Sequence, residues 1–374
     1  MSRHRSLLLL LAAVAPGGAG GGIAAAQAGP TVIRSGVYFE SYTFGQGLAF
    51  NRVSEFTIPI GITQRVGQRL VIDVATAYAS ATTDQLGGTT IEHSGFVDTD
   101  VRTTVSVVPG RLLLNFVGTI PTGAATVSDT TIPLFGATAT DLLAFTTPSF
   151  GAGGAFSTGF ASAFRMGSNW AIGAGGSYRT GASYVPVRGG NTLAPGGEIR
   201  ARLGIEGPFG EGKYFRGALV YTTTGDNDIG GGEQSAIGDR VLAYAAVSLP
   251  LGNSHLSIYG WDMRRLRARS YDAPATIAVP RGNVLALGAR LERGLSPTVT
   301  LVPLLEFRHE LTGPTDKMEL LGYLVRGGAD LRYRLSDRAT AIMHAQLAVG
   351  TIKDGGVRAS VVGPRVGALI EWSR

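Results

Sequence analysis

The chain contains no cysteine, so a disulfide framework is excluded, as is a lipid anchor attached through a cysteine after an export signal. Charged residues make up only 16% of its 374 residues, whereas glycine contributes 55 of them. So little charge with so much glycine is unusual for a soluble α/β enzyme. It is typical of a chain that is rich in strands, tight turns and small side chains.

The chain also lacks an apolar run of the roughly 20 residues that a membrane-spanning helix needs. A short apolar stretch, Leu7 to Val14, follows Arg3 and Arg5 and precedes Ala26-Gln27-Ala28. A basic start, a short apolar run and a small-residue cleavage motif indicate an export signal. We therefore predict a cleaved signal peptide over residues 1–28. The domain over residues 29–374 is then either soluble after export or a membrane β-barrel.

Runs of basic residues are absent as well. The formal net charge is +6, but the arginines are dispersed along the chain, which argues against nucleic-acid binding. Glycine clusters such as the one at 151–154 lack the strand and helix that flank a phosphate-binding loop. We expect the function to need no cofactor and no metal.

One stretch shows the pattern that organises the rest of the chain. Apolar and charged side chains alternate there, with Ala329, Leu331, Tyr333 and Leu335 against Asp330, Arg332 and Arg334. Because successive side chains of a strand point to opposite faces, the stretch predicts a strand with one apolar and one charged face. A polar turn follows at 336–338, and the alternation resumes at Ala341.

The same alternation recurs along the chain, and the connections between segments alternate between short and long. This pattern predicts an all-β fold, an antiparallel up-and-down transmembrane β-barrel of about 16 strands with both termini on the periplasmic side. Fourteen or twelve strands are the alternatives, because alternation is weak over residues 150–184 and interrupted within 256–269. Asp262 falls on the aliphatic face of the latter segment, where we expect a bulge. Residues 81–96 are predicted to form a loop.

Charged residues recur on the face opposite the aliphatic one, which favours a wet barrel interior over the buried face of a soluble, secreted sheet. The residues predicted to line the lumen are Arg200, Arg202, Glu206, Arg216, Arg290, Glu292, Glu306, Arg308, Arg326, Asp330, Arg332, Arg334 and Arg365. Arginine outnumbers the acids among them, so we expect a mildly anion-favouring pore. The alternative is that these charges form structural ladders inside a narrow or plugged barrel.

The connection from Pro121 to about Thr147 is the longest in the chain and carries several large apolar side chains. So apolar a segment is not expected to extend freely into water. We expect it to fold into the barrel as a constriction, or to form the entrance for an apolar solute. Phe135, Leu142 and Phe145 are the residues predicted to narrow the passage.

One hairpin carries a resemblance to a known family. The segment Gly95-Phe96-Val97-Asp98-Thr99-Asp100-Val101 is followed by an aliphatic strand, residues 112–120, that ends in Pro121-Thr122-Gly123. This hairpin resembles the outer-membrane transporters grouped with the meta-pathway phenol-degradation proteins, in which a G-x-x-D strand precedes an aliphatic strand ending in P-T-G. The resemblance covers residues 95–123 and implies a barrel that passes small hydrophobic or aromatic compounds.

Three other chemical hypotheses remain open. His93 lies near Glu92, Asp98 and Asp100, a set that could form a hydrolytic site at the outer mouth. His344 could pair with a serine, although no G-x-S-x-G context is present. The acidic segment 225–239 could bind calcium, although its spacing fits no EF-hand.

These observations together predict an outer-membrane channel for passive uptake of small molecules in a Gram-negative envelope, without enzymatic activity. A structural or adhesive surface barrel and a barrel hydrolase are the alternatives. The expected partners are the lipid bilayer, small-molecule solutes and the barrel-assembly machinery, and the oligomeric state stays open. Trp372 stands two residues before the chain end, whereas such barrels commonly end on an aromatic residue.

Overall fold

The computed structural model describes residues 31–167, 169–231, 233–236, 238–266, 269–270, 281–313, 319–354 and 356–374. Most of them belong to one antiparallel sheet that closes on itself. The predicted signal peptide, residues 1–28, lies outside the described residues and stays a prediction.

Sixteen barrel strands follow one another around the wall, and each pairs with its neighbours in the chain. They are β1 (Val32–Phe44), β2 (Phe50–Val66), β3 (Leu70–Gln85), β4 (Thr90–Phe96 and Thr99–Val108), β5 (Leu112–Ile120), β6 (Ala155–Met166), β7 (Trp170–Gly181), β8 (Glu198–Gly210), β9 (Lys213–Thr224), β10 (Arg240–Leu251), β11 (Ser254–Arg265), β12 (Arg281–Gly294), β13 (Val299–Gly313), β14 (Glu319–Ser336), β15 (Ala339–Asp354) and β16 (Val357–Ser373). The predicted number of strands is confirmed.

The barrel is closed by β1 and β16, which pair antiparallel from Val32 opposite Ser373 to Phe44 opposite Val361. Strand β4 is interrupted at residues 97–98, and both of its segments pair with β3. Closure leaves no strand edge exposed, as a sheet that spans lipid requires.

Short turns join the strands at the end of the barrel where the two chain ends meet. Gly67 and Gly110 adopt positive φ angles of 61° and 71° in two of these turns, a conformation that glycine reaches without strain. The opposite end carries the longer connections, which include a small sheet of four short strands. These are Leu193–Ala194, Asp226–Ile229, Glu233–Ala236 and Arg269–Ser270. In outer-membrane barrels the short turns lie on the periplasmic side.

The outer face of the wall is apolar and exposed, because the aliphatic positions of the alternating strands point away from the lumen. Exposed large apolar side chains occur all around it, among them Phe39, Phe56, Phe116, Phe160, Leu203, Leu219, Ile258, Leu287, Leu305, Leu347 and Ile370. A belt of this kind is stable against lipid, whereas charges there would cost about 2–4 kcal/mol each near the midplane. The fold is therefore a transmembrane β-barrel. In the described part of the chain, no helix is long and apolar enough to cross a membrane.

Two details of the prediction were wrong. The segment 81–96 is mostly strand, because β3 continues to Gln85 and pairs with the first half of β4. No bulge occurs at Asp262, since the register of β11 continues unshifted on both sides. Asp262 instead lies on the outer face near the end of β11, where it contacts Arg264 at 3.4 Å and accepts a hydrogen bond from Asn283.

Leu305 provides a test of the lipid-facing belt. It lies near the middle of β13 with 57% exposure on the outer face. Leu305→Arg should lower the free energy of unfolding in lipid vesicles by about 2–4 kcal/mol, because a charge would enter the hydrocarbon region. Urea titration of the vesicle-folded protein measures this loss. Leu305→Ala, the control, should cost clearly less; equal costs for both variants would contradict the lipid-facing assignment.

Candidate functional site

The connection between β5 and β6, residues 121–154, folds into the barrel, and we call it the interior loop. It contains a short 3₁₀ turn, Asp129–Thr131, and a helix, α1 (Ile132–Thr138). The Ser128 side chain accepts a hydrogen bond from the Thr130 backbone N–H, which caps the turn, and a proline occupies the first turn of α1. Both features favour a helix start at this position.

Apolar side chains attach the interior loop to one side of the wall. Leu142, Leu143 and Phe145 are buried in a cluster with inner-face residues of several strands, namely Tyr42, Val53, Leu324, Ala348, Ile352, Ala359 and Val361. The rings of Tyr42 and Phe145 meet edge to face with centroids 5.2 Å apart. Each fully buried side chain of this size contributes roughly 1.5–3 kcal/mol, so the cluster favours a docked loop.

Two buried carboxylates bind the backbone of the same loop. Glu40 of β1 and Glu55 of β2 lie directly opposite each other, and each is only 1% exposed. The Thr146 N–H donates to Glu40 Oε1 at 3.1 Å, and the Thr147 N–H donates to Glu55 Oε1 at 2.8 Å. Arg365 Nε lies 3.4 Å from the same Glu40 oxygen. Since unpaired buried carboxylates are costly, the docked loop and this part of the wall stabilise each other.

Arginines of the opposite strands bind carbonyl groups of the loop. Arg326 Nη2 donates to the Leu143 carbonyl at 3.0 Å and to the Tyr42 hydroxyl at 2.8 Å. The Tyr42 hydroxyl in turn donates to the Leu143 carbonyl at 2.9 Å. Arg308 Nη1 donates to the Asp141 carbonyl at 2.8 Å. Guanidinium groups thus satisfy loop carbonyls that the helix and turns leave unpaired.

A buried hydrogen-bonded chain lies on the inner face of β1, β14 and β15. The Tyr38 hydroxyl is 3.2 Å from His344 Nε2, and His344 Nδ1 is 2.7 Å from Asp330 Oδ1. We assign the Nδ1–H as the donor to Asp330, so that Nε2 accepts from Tyr38. The ring of Tyr38 lies over Gly367 of β16, where a Cβ would come within 2.5 Å of it. Both nitrogens of His344 are therefore used, and the predicted serine partner does not occur.

All thirteen residues predicted to line the lumen occupy inner-face positions in the strand registers. Glu306 lies between two of them, 2.9 Å from Arg308 and 3.8 Å from Arg326. Other close pairs are Arg216–Glu206, Arg200–Glu198, Arg332–Glu292, Arg365–Glu40 and His344–Asp330. Arg290 lies over the ring of Tyr259 at 5.9 Å, Arg202 faces the lumen beside Arg200, and Arg334 lies near the short-turn end.

The interior loop covers one side of the lumen and leaves another accessible. The side chains of Arg326 and Arg308, under the loop, are 9% and 11% exposed. Arg200 of β8 and Arg240 of β10 retain 32% and 38%. Of the predicted constriction residues, Leu142 and Phe145 lie in the buried cluster. The third, Phe135, packs near β3 with other buried apolar residues, namely Ala79, Ala81, Leu134 and Phe150.

His93 lies among aromatic rings rather than beside acids. Its ring centroid is 5.2 Å from that of Phe135 and 4.7 Å from that of Phe150. Asp98, the acid proposed as its partner, accepts the Gly123 backbone N–H at 3.1 Å. His93 therefore lies in the part of the wall against which the interior loop packs. There the outer end of β3 pairs with the first segment of β4.

The calcium hypothesis for segment 225–239 stays a hypothesis. The described residues contain no group of three or more acidic or histidine side chains arranged to bind a metal. Asp228 accepts the Gly231 N–H at 3.2 Å, and Asp239 accepts from the Tyr221 hydroxyl at 2.6 Å. The side chains of residues 232–237 lie outside the described residues.

Several residues that organise the lumen are missing from the predicted set. Glu198 and Arg240 are the first residues of β8 and β10, one position before the alternation becomes visible at Ile199 and Val241. Asp141 lies in the interior loop, where no periodicity indicates what it contacts. For Tyr38 and Glu40 a signal was present, because both alternate with the apolar residues Val37 and Phe39 and so belong to the polar face of β1.

Comparisons with known proteins add similarity of fold only. No family model matches the chain, and no curated protein matches it. Similar solved structures include a bacterial polysaccharide outer membrane secretin, with 9% identity, TM-score 0.49, and coverage of 92% of this chain and 98% of that chain. A loop-deletion mutant of OmpT, an outer membrane protein of Vibrio cholerae, has 11% identity, TM-score 0.44, and coverage of 92% and 100%.

A mutant of the monoaromatic hydrocarbon channel TodX is also similar, with 9% identity, TM-score 0.45, and coverage of 92% of this chain and 90% of that chain. At such identities and TM-scores, none of these structures carries an argument about what this chain binds.

The two buried carboxylates predict how firmly the interior loop is docked. The double variant Glu40→Ala, Glu55→Ala should release the loop, because the N–H groups of Thr146 and Thr147 lose their acceptors. Each lost hydrogen bond to a charged group costs about 1.5–3 kcal/mol. Limited proteolysis of the folded protein should then cut within residues 121–154 at least tenfold faster. The control Glu211→Ala, in an exposed turn, should leave the cleavage rate unchanged. Equal cleavage rates in the double variant and the wild type would contradict the docking by these carboxylates.

Proposed function

We propose that this protein is an outer-membrane channel through which small solutes pass passively, and that its interior loop narrows the passage. A closed barrel with an apolar belt outside and arginines and acids inside suits a wet lumen in a membrane. The observation that carries the proposal is the uneven burial of the inner wall. The loop covers Arg308 of β13 and Arg326 of β14, whereas Arg200 of β8 and Arg240 of β10 remain exposed to the interior.

The exposure of the charged inner side chains favours a channel over a hydrolase or an adhesive barrel. Charged side chains that line a pore tune which solutes pass, and they need partial exposure to do so. Glu198 and Arg240 meet this requirement, at 16% and 38% exposure. The histidines considered for catalysis are instead committed to a buried hydrogen-bonded chain and an aromatic cluster.

Planar-bilayer recording of the purified protein tests the channel directly. The wild-type protein should show discrete conductance steps in potassium chloride. Deleting residues 125–145 should raise the conductance at least twofold, because the part of the interior loop that docks on the wall is removed. The control replaces residues 227–235, part of the small outer sheet, with a two-residue turn and should change conductance much less.

Two outcomes would overturn parts of the proposal. If heat-modifiable migration shows that the wild-type barrel is folded and it never conducts, the channel proposal is overturned. A deletion variant that folds and conducts no better than the wild type would leave the channel standing and overturn the role of the interior loop.

A further inference from the structure

The accessible side of the lumen carries an excess of positive charge that is built into its ion pairs. Glu198 is shared by two guanidinium groups, with Arg200 Nη2 at 2.8 Å and Arg240 Nη2 at 3.1 Å. One carboxylate cannot neutralise two arginines, so this cluster retains a net positive charge. Arg202 and Arg102 reach the same region and are within electrostatic range of each other. The location is the loop end of β8 and β10, at the outer mouth.

Two aromatic side chains lie further down the same wall. Tyr244 of β10 and Trp261 of β11 are directly opposite each other and share the inner face. The inner-face residues beside them on the flanking strands are small: Ala218 of β9 lies opposite Tyr244, and Ala286 of β12 lies opposite Trp261. Ala218 leaves space beside Tyr244, whereas Ala286 is fully buried on the Trp261 side. Both aromatic residues are partly exposed to the interior.

Further arginines lie close to this aromatic pair. Arg216 and Arg290 are within electrostatic range of Tyr244, and Arg308 lies over the ring of Trp261 at 5.4 Å. Arg216 is itself paired with the buried Glu206 at 3.2 Å. We call Arg200, Arg240, Tyr244, Trp261, Arg216 and Arg290 the arginine–aromatic strip.

The spacing within the strip matches one kind of solute. Arg240 and Tyr244 are four residues apart on one face, about 13 Å between Cα atoms at a rise near 3.3 Å per residue. Leu242 is the one inner-face residue of β10 between them, so an apolar surface joins the arginine cluster to the aromatic pair. Guanidinium groups bind carboxylates in a planar, two-pronged geometry, and aromatic rings bind flat apolar surfaces.

We propose that the arginine–aromatic strip binds small organic anions that carry a carboxylate next to a flat apolar ring, of which benzoate is the simplest probe. The inference rests on the proposed channel function, and it names the class of solute that the channel passes. The strip lies on the side of the lumen that the interior loop leaves accessible, so the bound anion is on the path through the barrel. Cations are disfavoured there because two guanidinium groups, Arg200 and Arg240, share the single carboxylate of Glu198.

Block of the chloride current by benzoate tests the proposal. Benzoate should interrupt the wild-type current at a concentration at least tenfold lower than acetate, which has no ring. Benzyl alcohol, which has the ring without the charge, should be as weak as acetate. Arg240→Gln and Tyr244→Leu should each raise the half-blocking benzoate concentration about tenfold, with the acetate response unchanged for Tyr244→Leu.

The chain offers a matched control for each substitution. Arg264→Gln removes an arginine from the outer face near the same end, where its side chain is 70% exposed, and should leave the block unchanged. Trp372→Phe changes an outward-facing tryptophan and should also have no effect, whereas Trp261→Leu should weaken the block. Heat-modifiable migration shows that each variant is folded. Equal block by benzoate and acetate in a conducting wild-type channel would overturn the proposal and leave the channel intact.

A second measurement separates binding from conduction. In a Trp170→Phe, Trp372→Phe protein, Trp261 is the single remaining tryptophan, because the chain has three. Titration of this detergent-folded protein with benzoate should quench its fluorescence saturably, and Arg240→Gln should shift the midpoint about tenfold. A saturable response in a protein that does not conduct would support the strip and overturn the channel. No saturable response would overturn the strip.

Discussion

A sheet that crosses lipid must pair every backbone N–H and C=O within itself, and the rest of this structure depends on that constraint. The pairing of β1 with β16 closes the wall and removes both edges. Once the wall is closed, the alternation along each strand separates two environments. Aliphatic side chains such as Leu305 meet lipid, and their neighbours such as Glu306 turn inward, where charge is tolerated only when it is hydrated or paired.

The interior loop supplies hydrogen-bond partners to part of the inward-facing charged residues. Glu40 and Glu55 lie side by side under it, a costly arrangement for two carboxylates. Backbone N–H groups of the loop and the guanidinium of Arg365 offset this cost. The loop carbonyls in turn bind Arg326 and Arg308. Docking on this side leaves the arginines of β8 and β10 accessible, so the loop position decides which charges a solute meets.

The alternation of apolar and polar residues predicted the strands of the wall, but not their irregularities or their full lengths. The face of each lumen residue followed from its neighbours, as for Arg332 between Leu331 and Tyr333. The expected bulge at Asp262 was wrong because outward polar side chains are tolerated near a strand end, where Arg264 and Asn283 contact it. The extension of β3 was missed because its inner residues, Ala79 and Ala81, are buried by the interior loop, a contact that local pattern does not show.

Strand direction and the inward or outward face of the lumen residues can be derived from the chain alone, which favours 16 strands and leaves 14 and 12 as alternatives. They depend on the two-residue period of single strands and on turn length, which are local properties. The partners of the inner side chains depend on closure. Tyr38 and His344 are 306 positions apart in the chain and meet only because β1 returns to β16 beside β15. The docking of residues 121–154 depends on the same closure, because the loop packs on strands from both ends of the chain. The sharing of Glu198 between Arg200 and Arg240 depends instead on the pairing of β8 with β9 and of β9 with β10.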